Sequence, residues 1–262
     1  MKIAIYAHFS SCDRIVTHAW PFLKELLKLD FKLIFVSNSA VCDADLNILK
    51  SLGVEIILRG NCGLDFGMWN AALKTINVSE VEELLLTNSS IIGPLAPLGP
   101  IFEQAKVWQC DFWGITDSTE LAPHLQSYFI VLRKNVIESL AFERFWSSMM
   151  PYHSKSQIIR SYEIGLTIWL EEQGFRWRAL ISQESVWKIC AQKRSMLKTG
   201  LDRILKRKWF LENTTLSYPE LVLEMGSPFF KSSLLVSGSR TVTAEKASKV
   251  LEAAKAKANL RL

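Results

Sequence analysis

Paired cysteines are missing from this sequence. Five thiols (Cys12, Cys42, Cys62, Cys110 and Cys190) are scattered over 262 residues, and no CxxC occurs. Neither a zinc site nor a disulfide framework is indicated, and a reducing cytosol is the natural compartment. Long apolar runs are missing too: none approaches the roughly 18 residues that a spanning helix needs. The first residues, Met1–Tyr6, read as a strand that soon meets His8 and Asp13, not as a signal peptide. Glycine (12) and proline (8) are sparse and aperiodic, which excludes collagen-like and low-complexity chains. Charge is too low (22%) and apolar content too high (49%) for disorder. There is no GxxxxGK[ST], and no GxGxxG followed by a ribose-binding acid, so P-loop NTPases and dinucleotide oxidoreductases are disfavoured. What remains is an α/β chain long enough to bury a large core.

The first half alternates short apolar runs with segments of helical spacing. Strands are predicted at Lys2–Ala7, Lys32–Val36, Val54–Leu58 and Glu83–Thr87. Helices are predicted at Ile15–Leu29 (after Ser10, Ser11 and Asp13 as caps), Asp45–Leu52 and from Met68 to Ile76. This alternation predicts a parallel sheet with right-handed crossovers. Ligands of such sheets sit beyond the carboxyl ends of the strands. Later segments give strands near Asp111–Ile115, Gln126–Leu132 and Arg176–Ile181, and helices at Asn135–Met149, Glu163–Glu172 and Ala244–Leu260.

Four places carry candidate chemistry. The loop Arg59–Gly67, with three glycines, permits positive φ and precedes a helix whose N–H groups can receive an anion. Within it Asp65 could accept bonds from ribose or base; equally, it could simply cap a turn. Strand four ends in Asn88-Ser89-Ser90, the place where sugar-nucleotide transferases keep an acidic metal site. Here no carboxylate stands there, and Asn88 and Ser90 are weak ligands for Mg²⁺ or Mn²⁺. Glu163 sits at a predicted helix start, where negative charge is favoured and a proton acceptor stays ionised. Finally Trp113, Gly114 and Thr116, with His124, Gln126 and Tyr128, suit carbohydrate, because rings stack on sugars and amides bind hydroxyls. Core packing is the plainer account of most of the nine tryptophans.

In order along the chain stand Ala7-His8-Phe9, Phe35-Val36-Ser37-Asn38-Ser39, Arg59–Trp69, Leu86–Ser90 with Gly93-Pro94-Leu95, Phe112–Thr116, His124–Phe129, Tyr162–Thr167, Asn213-Thr214-Thr215 and Pro228–Lys231. Together they resemble the rhamnan synthesis protein F family of bacterial glycosyltransferases, over roughly residues 3–235. The resemblance implies a GT-A-like α/β fold, a mostly parallel sheet flanked by helices. It implies transfer of L-rhamnose or a similar deoxysugar from a nucleotide donor such as dTDP-L-rhamnose. The acceptor would be a polysaccharide or lipid-linked oligosaccharide at the cytoplasmic face of the membrane. On the layout of inverting GT-A enzymes, Asn61, Gly63 and Asp65 would contact nucleotide, and Asn88, Ser89 and Ser90 would lie at the diphosphate. His8, Ser37, Asn38, Arg59 and Lys231 join the donor-side candidates, and Glu163 would be the base. Relatives commonly carry Asp where this chain has Ser89. Lys231, Arg59 or helix-end N–H groups could then stand in for the cation. A non-catalytic sugar- or nucleotide-binding subunit is the rival reading.

The formal charge of +5 is unevenly spread. Residues 188–211 hold eight Lys/Arg and one acid, a net of +7, which leaves −2 for the rest. Apolar residues interleave with those charges, as in an interfacial helix, so docking on anionic lipid competes with a solvated, core-facing helix. No RNA-binding motif accompanies the strip, which disfavours nucleic acid. Residues 1–187 are expected to form the catalytic domain, with a nucleotide half to about 95 and an acceptor half from 96. A basic helical extension, 188–262, would belong to the same unit.

Overall fold

The computed structural model describes residues 1–150, 152, 154–195 and 213–259. The chain begins as expected, with β1 (Lys2–His8), α1 (Ala19–Lys28), β2 (Phe31–Ser37), α2 (Asp43–Ser51), β3 (Glu55–Leu58), α3 (Leu64–Leu73) and β4 (Glu83–Asn88). These strands lie in the order β3-β2-β1-β4, and all three pairings are parallel. Every βα loop of this half therefore opens on one edge.

The sheet then changes character. A short β5 (Ile91–Ile92) leaves it, and α4 (Gly99–Lys106) crosses to β6 (Phe112–Ser118), β7 (His124–Leu125) and β8 (Phe129–Arg133). Strand β8 runs antiparallel to both β4 and β6, and β6 runs antiparallel to β7. Helices α5 (Lys134–Ile137), α6 (Leu140–Ser147), α7 (Lys155–Ile158) and α8 (Gly165–Glu172) follow, then β9 (Trp177–Ile181), parallel to β6, and α9 (Gln183–Ser195). The sheet is thus mixed, with its parallel part next to the strand ends of interest. Further on, β10 (Phe230–Lys231) pairs antiparallel with β5, and a helix spans Ala244–Asn259.

Both faces of the sheet are covered, which is why its strands read as unbroken apolar runs. Ile3, Ile5 and Ala7 of β1 face α3, α6 and α8 through Phe66, Trp69, Trp146 and Leu166. Ala4 and Tyr6 face the other way, toward Phe22, Leu23 and Phe102 of α1 and α4.

Several boundaries differ from expectation. The α1 helix starts at Ala19, not Ile15, and its N-cap is His18 with no side-chain bond, so Ser10, Ser11 and Asp13 do not cap it. Instead residues 10–15 form a strapped loop. Buried Asp45 accepts two bonds from Arg14 at 2.9 Å and one from the Ile15 N–H at 2.8 Å. Residues 135–149 break into two helices, with Ser139 capping the second through the Phe142 N–H. Of the basic strip 188–211, only 188–195 lies among the described residues; the membrane-docking expectation falls mostly outside them.

The Arg14–Asp45 clamp yields a first prediction. Asp45→Ala leaves the Ile15 N–H without its partner, and is expected to lower stability by about 2 kcal/mol. Urea unfolding at neutral pH checks this. Because Arg14 and the Ile15 N–H hold the Asp45 carboxyl below its ordinary value, the wild-type advantage over the variant should fade as the pH falls into the carboxylate range.

Candidate functional site

Beyond the carboxyl end of β4 lies a cleft of about 520 Å³. Its floor and walls include Asp65, Asn88, Ser90, Gln126, Glu163 and Lys231. Segments that are far apart in the chain meet here, and each is held by an identifiable contact.

The first is α3. Gly63 takes φ +77° and turns the chain into the helix, which begins four residues before the expected Met68. Gly67 consequently lies inside α3, where a Cβ would overlap the carbonyl oxygen of Cys62. So the loop is tighter than its three glycines suggested, and Asp65 sits in the first helical turn. Trp69 Nε1 donates to the Thr87 carbonyl at 3.1 Å, docking α3 on β4. One turn earlier, Asn88 Nδ2 donates to Asp65 Oδ2 at 2.9 Å. Burial, and then the nearby Glu163, push the Asp65 carboxyl up to about 6, against the pull of Lys231 and Lys155.

Glu163 is not at a helix start. The helical stretch opens at Lys155 and widens into a π-helical segment, Ile159–Ile164, before α8. No helix N-terminus therefore stabilises its charge. What fixes the carboxylate is the Ser127 N–H, which donates to Oε1 at 3.1 Å. A π-helical segment re-aims the side chains it carries, and such segments recur at functional sites.

Lys231 comes from β10. Its Nζ stands 4.4 Å from the Tyr128 ring centroid, donates to Ser90 Oγ at 3.5 Å, and feels both Glu163 and Asp65. Burial lowers its pKa from the usual lysine value, and the two carboxylates oppose that shift. The pairing of Lys231 with Ile91, and the Ser232 Oγ bond to the Ser90 carbonyl at 2.9 Å, bring it to the strand end.

A second group gathers at the ends of β2 and β3. Asn38 Nδ2 donates to exposed Asn61 Oδ1 at 3.1 Å. Among the described residues, buried Asn38 Oδ1 and Arg59 Nη1 have no partner. Two of the donor-side candidates are instead internal. His8 and Ser37 are wholly buried and bonded to each other at 3.0 Å. Burial and the neighbouring His18 push the His8 imidazole down to about 4, so it is neutral at pH 7. These two brace the loop after β1 and have no exposed atom to offer a donor. Ser89 Oγ accepts from the Phe9 N–H at 3.2 Å and joins that same loop.

The carbohydrate candidates divide. His124 and Gln126 line the cleft. Trp113 does not: it is fully buried between Phe102, Trp108 and Phe129. Gly114 is also internal, with the Phe129 carbonyl where a Cβ would go. Thr116 donates to Gln126 Oε1 at 2.6 Å and bonds Tyr128 Oη at 2.6 Å, so both hydroxyls are spent inside. Tyr128 serves as the shelf beneath Lys231. Lys155 and Arg160 also line the cleft. Sequence reasoning did not nominate either one; Arg160 lay three residues from Glu163, one helical turn away, and Lys155 gave no signal.

The side chains of Asn88 and Ser90, the candidates for a divalent cation at the end of β4, are engaged with each other and with Asp65. Asn88 Oδ1 already accepts from the Ser90 N–H (3.1 Å) and Ser90 Oγ (2.6 Å), while its Nδ2 is on Asp65. Among the described residues, no three His, Cys, Asp or Glu side chains gather as a metal site. The strand end Asn88–Ser90, bonded in this way, does not fit a bound divalent cation.

The fold defines the class first. The glycosyltransferase GlyE of Streptococcus pneumoniae shares it with a TM-score of 0.50 at 10% identity, over 97% of this chain and 60% of that one. The architecture is therefore GT-A-like, a mixed α/β sheet flanked by helices. The rhamnan synthesis protein F profile matches residues 33–260, and the chain belongs to that family. Virulence protein VirA of Vibrio anguillarum is 27% identical over 188 residues, 67% of this chain and 58% of its own length. An uncharacterized protein, y4gN of Sinorhizobium fredii, is 27% identical over 172 residues, 63% of this chain and 45% of its own. The chain spans about half the length of these curated relatives. No helix among the described residues is long and apolar enough to cross a membrane.

The raised Asp65 carboxyl gives a second prediction. The folded state binds this proton more tightly than the unfolded state does. Stability from Asp65 is therefore present at low pH and lost as the pH rises from about 4 to about 6. Asp65→Asn keeps an acceptor for Asn88 and removes the charge. The variant should match wild type near pH 4 and exceed it at pH 7, by at most ~3 kcal/mol. Denaturant midpoints measured across that range test this; equal midpoints at pH 7 would refute it.

Proposed function

We propose that this protein is a glycosyltransferase that moves a sugar from a nucleotide-diphosphate donor onto a growing cell-surface polysaccharide. The observation that carries the reading is the convergence of Asp65, Glu163 and Lys231 in one cleft beyond the strand ends of a GT-A-like sheet. Family membership supports polysaccharide synthesis as the setting and L-rhamnose or a related deoxysugar as the donor's cargo. The unpartnered Arg59 Nη1 and Asn38 Oδ1 beside the Gly63 turn support a nucleotide on that side. His124, Gln126, Lys155 and Arg160, which line the cleft, support an acceptor there.

The chemistry is a single displacement. Glu163 takes the proton from the acceptor hydroxyl, whose oxygen attacks the anomeric carbon. The bond from that carbon to the diphosphate breaks, and its electron pair leaves with the nucleotide diphosphate. Attack from the face opposite the leaving group inverts the anomeric centre. The acceptor in this reading is a polysaccharide or lipid-linked oligosaccharide at the cytoplasmic face of the membrane.

Glu163→Gln keeps an acceptor for the Ser127 N–H and removes the base. Turnover of labelled donor should fall by at least ~10²-fold, with donor binding retained. A variant keeping more than about a tenth of wild-type turnover loses Glu163 its role. Wild-type protein that binds nucleotide sugar yet releases no nucleotide diphosphate, with a competent acceptor, would instead favour a non-catalytic binding subunit.

A further inference from the structure

We infer that Lys231 is the cation stationed at the end of β4, and that it receives the diphosphate of the donor in place of a divalent metal. The inference rests on the glycosyltransferase reading and goes further, assigning the group that neutralises the leaving charge.

Three observations carry it. First, the strand end that would hold a metal is closed to one. Asn88 is bonded at both side-chain atoms, Ser90 Oγ gives its proton to Asn88, and Ser89 faces the loop at Phe9. Second, a cation is already there. Lys231 Nζ lies beside Ser90 Oγ and over the Tyr128 ring, whose π face favours a positive charge. A divalent ion placed next to it would be repelled. Third, the ammonium is held by architecture. It is the second residue of β10, paired with Ile91 three residues past Asn88, and Ser232 ties the next position to the Ser90 carbonyl. Preorganised charge of this kind acts where negative charge develops, with no reorganisation at the moment of reaction.

The step balances without a metal. As the anomeric carbon–oxygen bond breaks, the electron pair moves to the diphosphate oxygen. That oxygen takes up hydrogen bonds from the Lys231 ammonium, which keeps its protons. Asp65 and Glu163 favour the charged ammonium before the donor arrives.

The test is titration of metal-stripped protein with UDP, dTDP, GDP and CDP, each in chelator and each with Mn²⁺, for wild type, K231M and K231R. Circular dichroism confirms folding of each variant. Wild type should bind one of these nucleotides equally well with or without Mn²⁺. K231M should lose about tenfold or more in affinity in both conditions, and K231R should retain most of it. Where the acceptor is in hand, K231M turnover should fall on the order of 10²–10³-fold, with no rescue by Mn²⁺. Wild-type binding that requires Mn²⁺ overturns the inference and leaves the glycosyltransferase reading standing. K231M binding as tightly as wild type, or K231R failing as badly as K231M, also overturns it. Absence of nucleotide binding in every condition removes the glycosyltransferase reading, and this inference with it.

Discussion

Two carboxylates and one ammonium meet, half-buried, in one cleft, and the rest of the site is arranged around that fact. Charges so placed interact several times more strongly than in bulk water. Left alone, Asp65 and Glu163 would repel, and Lys231 would be driven toward its neutral form. Held together, the ammonium offsets part of the repulsion at Asp65, and the carboxylates oppose the loss of its own charge. The arrangement works only if three separate pieces of backbone arrive in register. Helix α3 is fixed by Trp69 on Thr87, the π-helical segment by Ser127, and β10 by Ile91 and Ser90. Each fixing contact is a hydrogen bond to backbone, so the charges are positioned by the fold and not by one another.

The mixed sheet explains how so many pieces reach one place. Its parallel half sends the loops after β1, β2 and β3 to the same edge. The antiparallel return through β8 and β6 carries Ser127 and Gln126 back toward that edge. Buried aromatic side chains fill the two faces between. Trp113 and Phe129 belong to that filling, and their bulk sets the separation of α4 from the sheet.

Much of this was legible in the sequence, for physical reasons. Unbroken apolar runs such as Leu84-Leu85-Leu86 mark strands covered on both faces, and their polar ends mark where ligands go. Asp65, Asn88 and Ser90 were nominated at or just past such ends, Glu163 at an expected helix start and Lys231 through the family resemblance, and all five line the cleft. The errors also have physical causes. Trp113 was nominated because rings near strand ends can stack on sugars, but both faces of the sheet are interior and its ring is used in packing. His8 and Ser37 sit at strand ends, yet they satisfy each other, and pairing between distant residues leaves no local trace. The start of α3 was placed late because Gly67 looks like a loop residue. Its glycine is needed by the close approach of Cys62, a contact that only the folded turn reveals. The π-helical segment widens the backbone by an amount that no residue spacing encodes.

The distance along the chain between Ser90 and Lys231, 141 residues, also orders events in time. A ribosome adding about 5–20 residues per second takes about 7–30 s to cover it. During that interval the parallel strands can pair and α3 can dock on β4, because β1 to β4 and α3 have already been made. Asp65 then waits beside its neighbouring carboxylate without the ammonium. The nascent protein thus acquires the parallel half of its sheet well before it acquires a charge-balanced cleft.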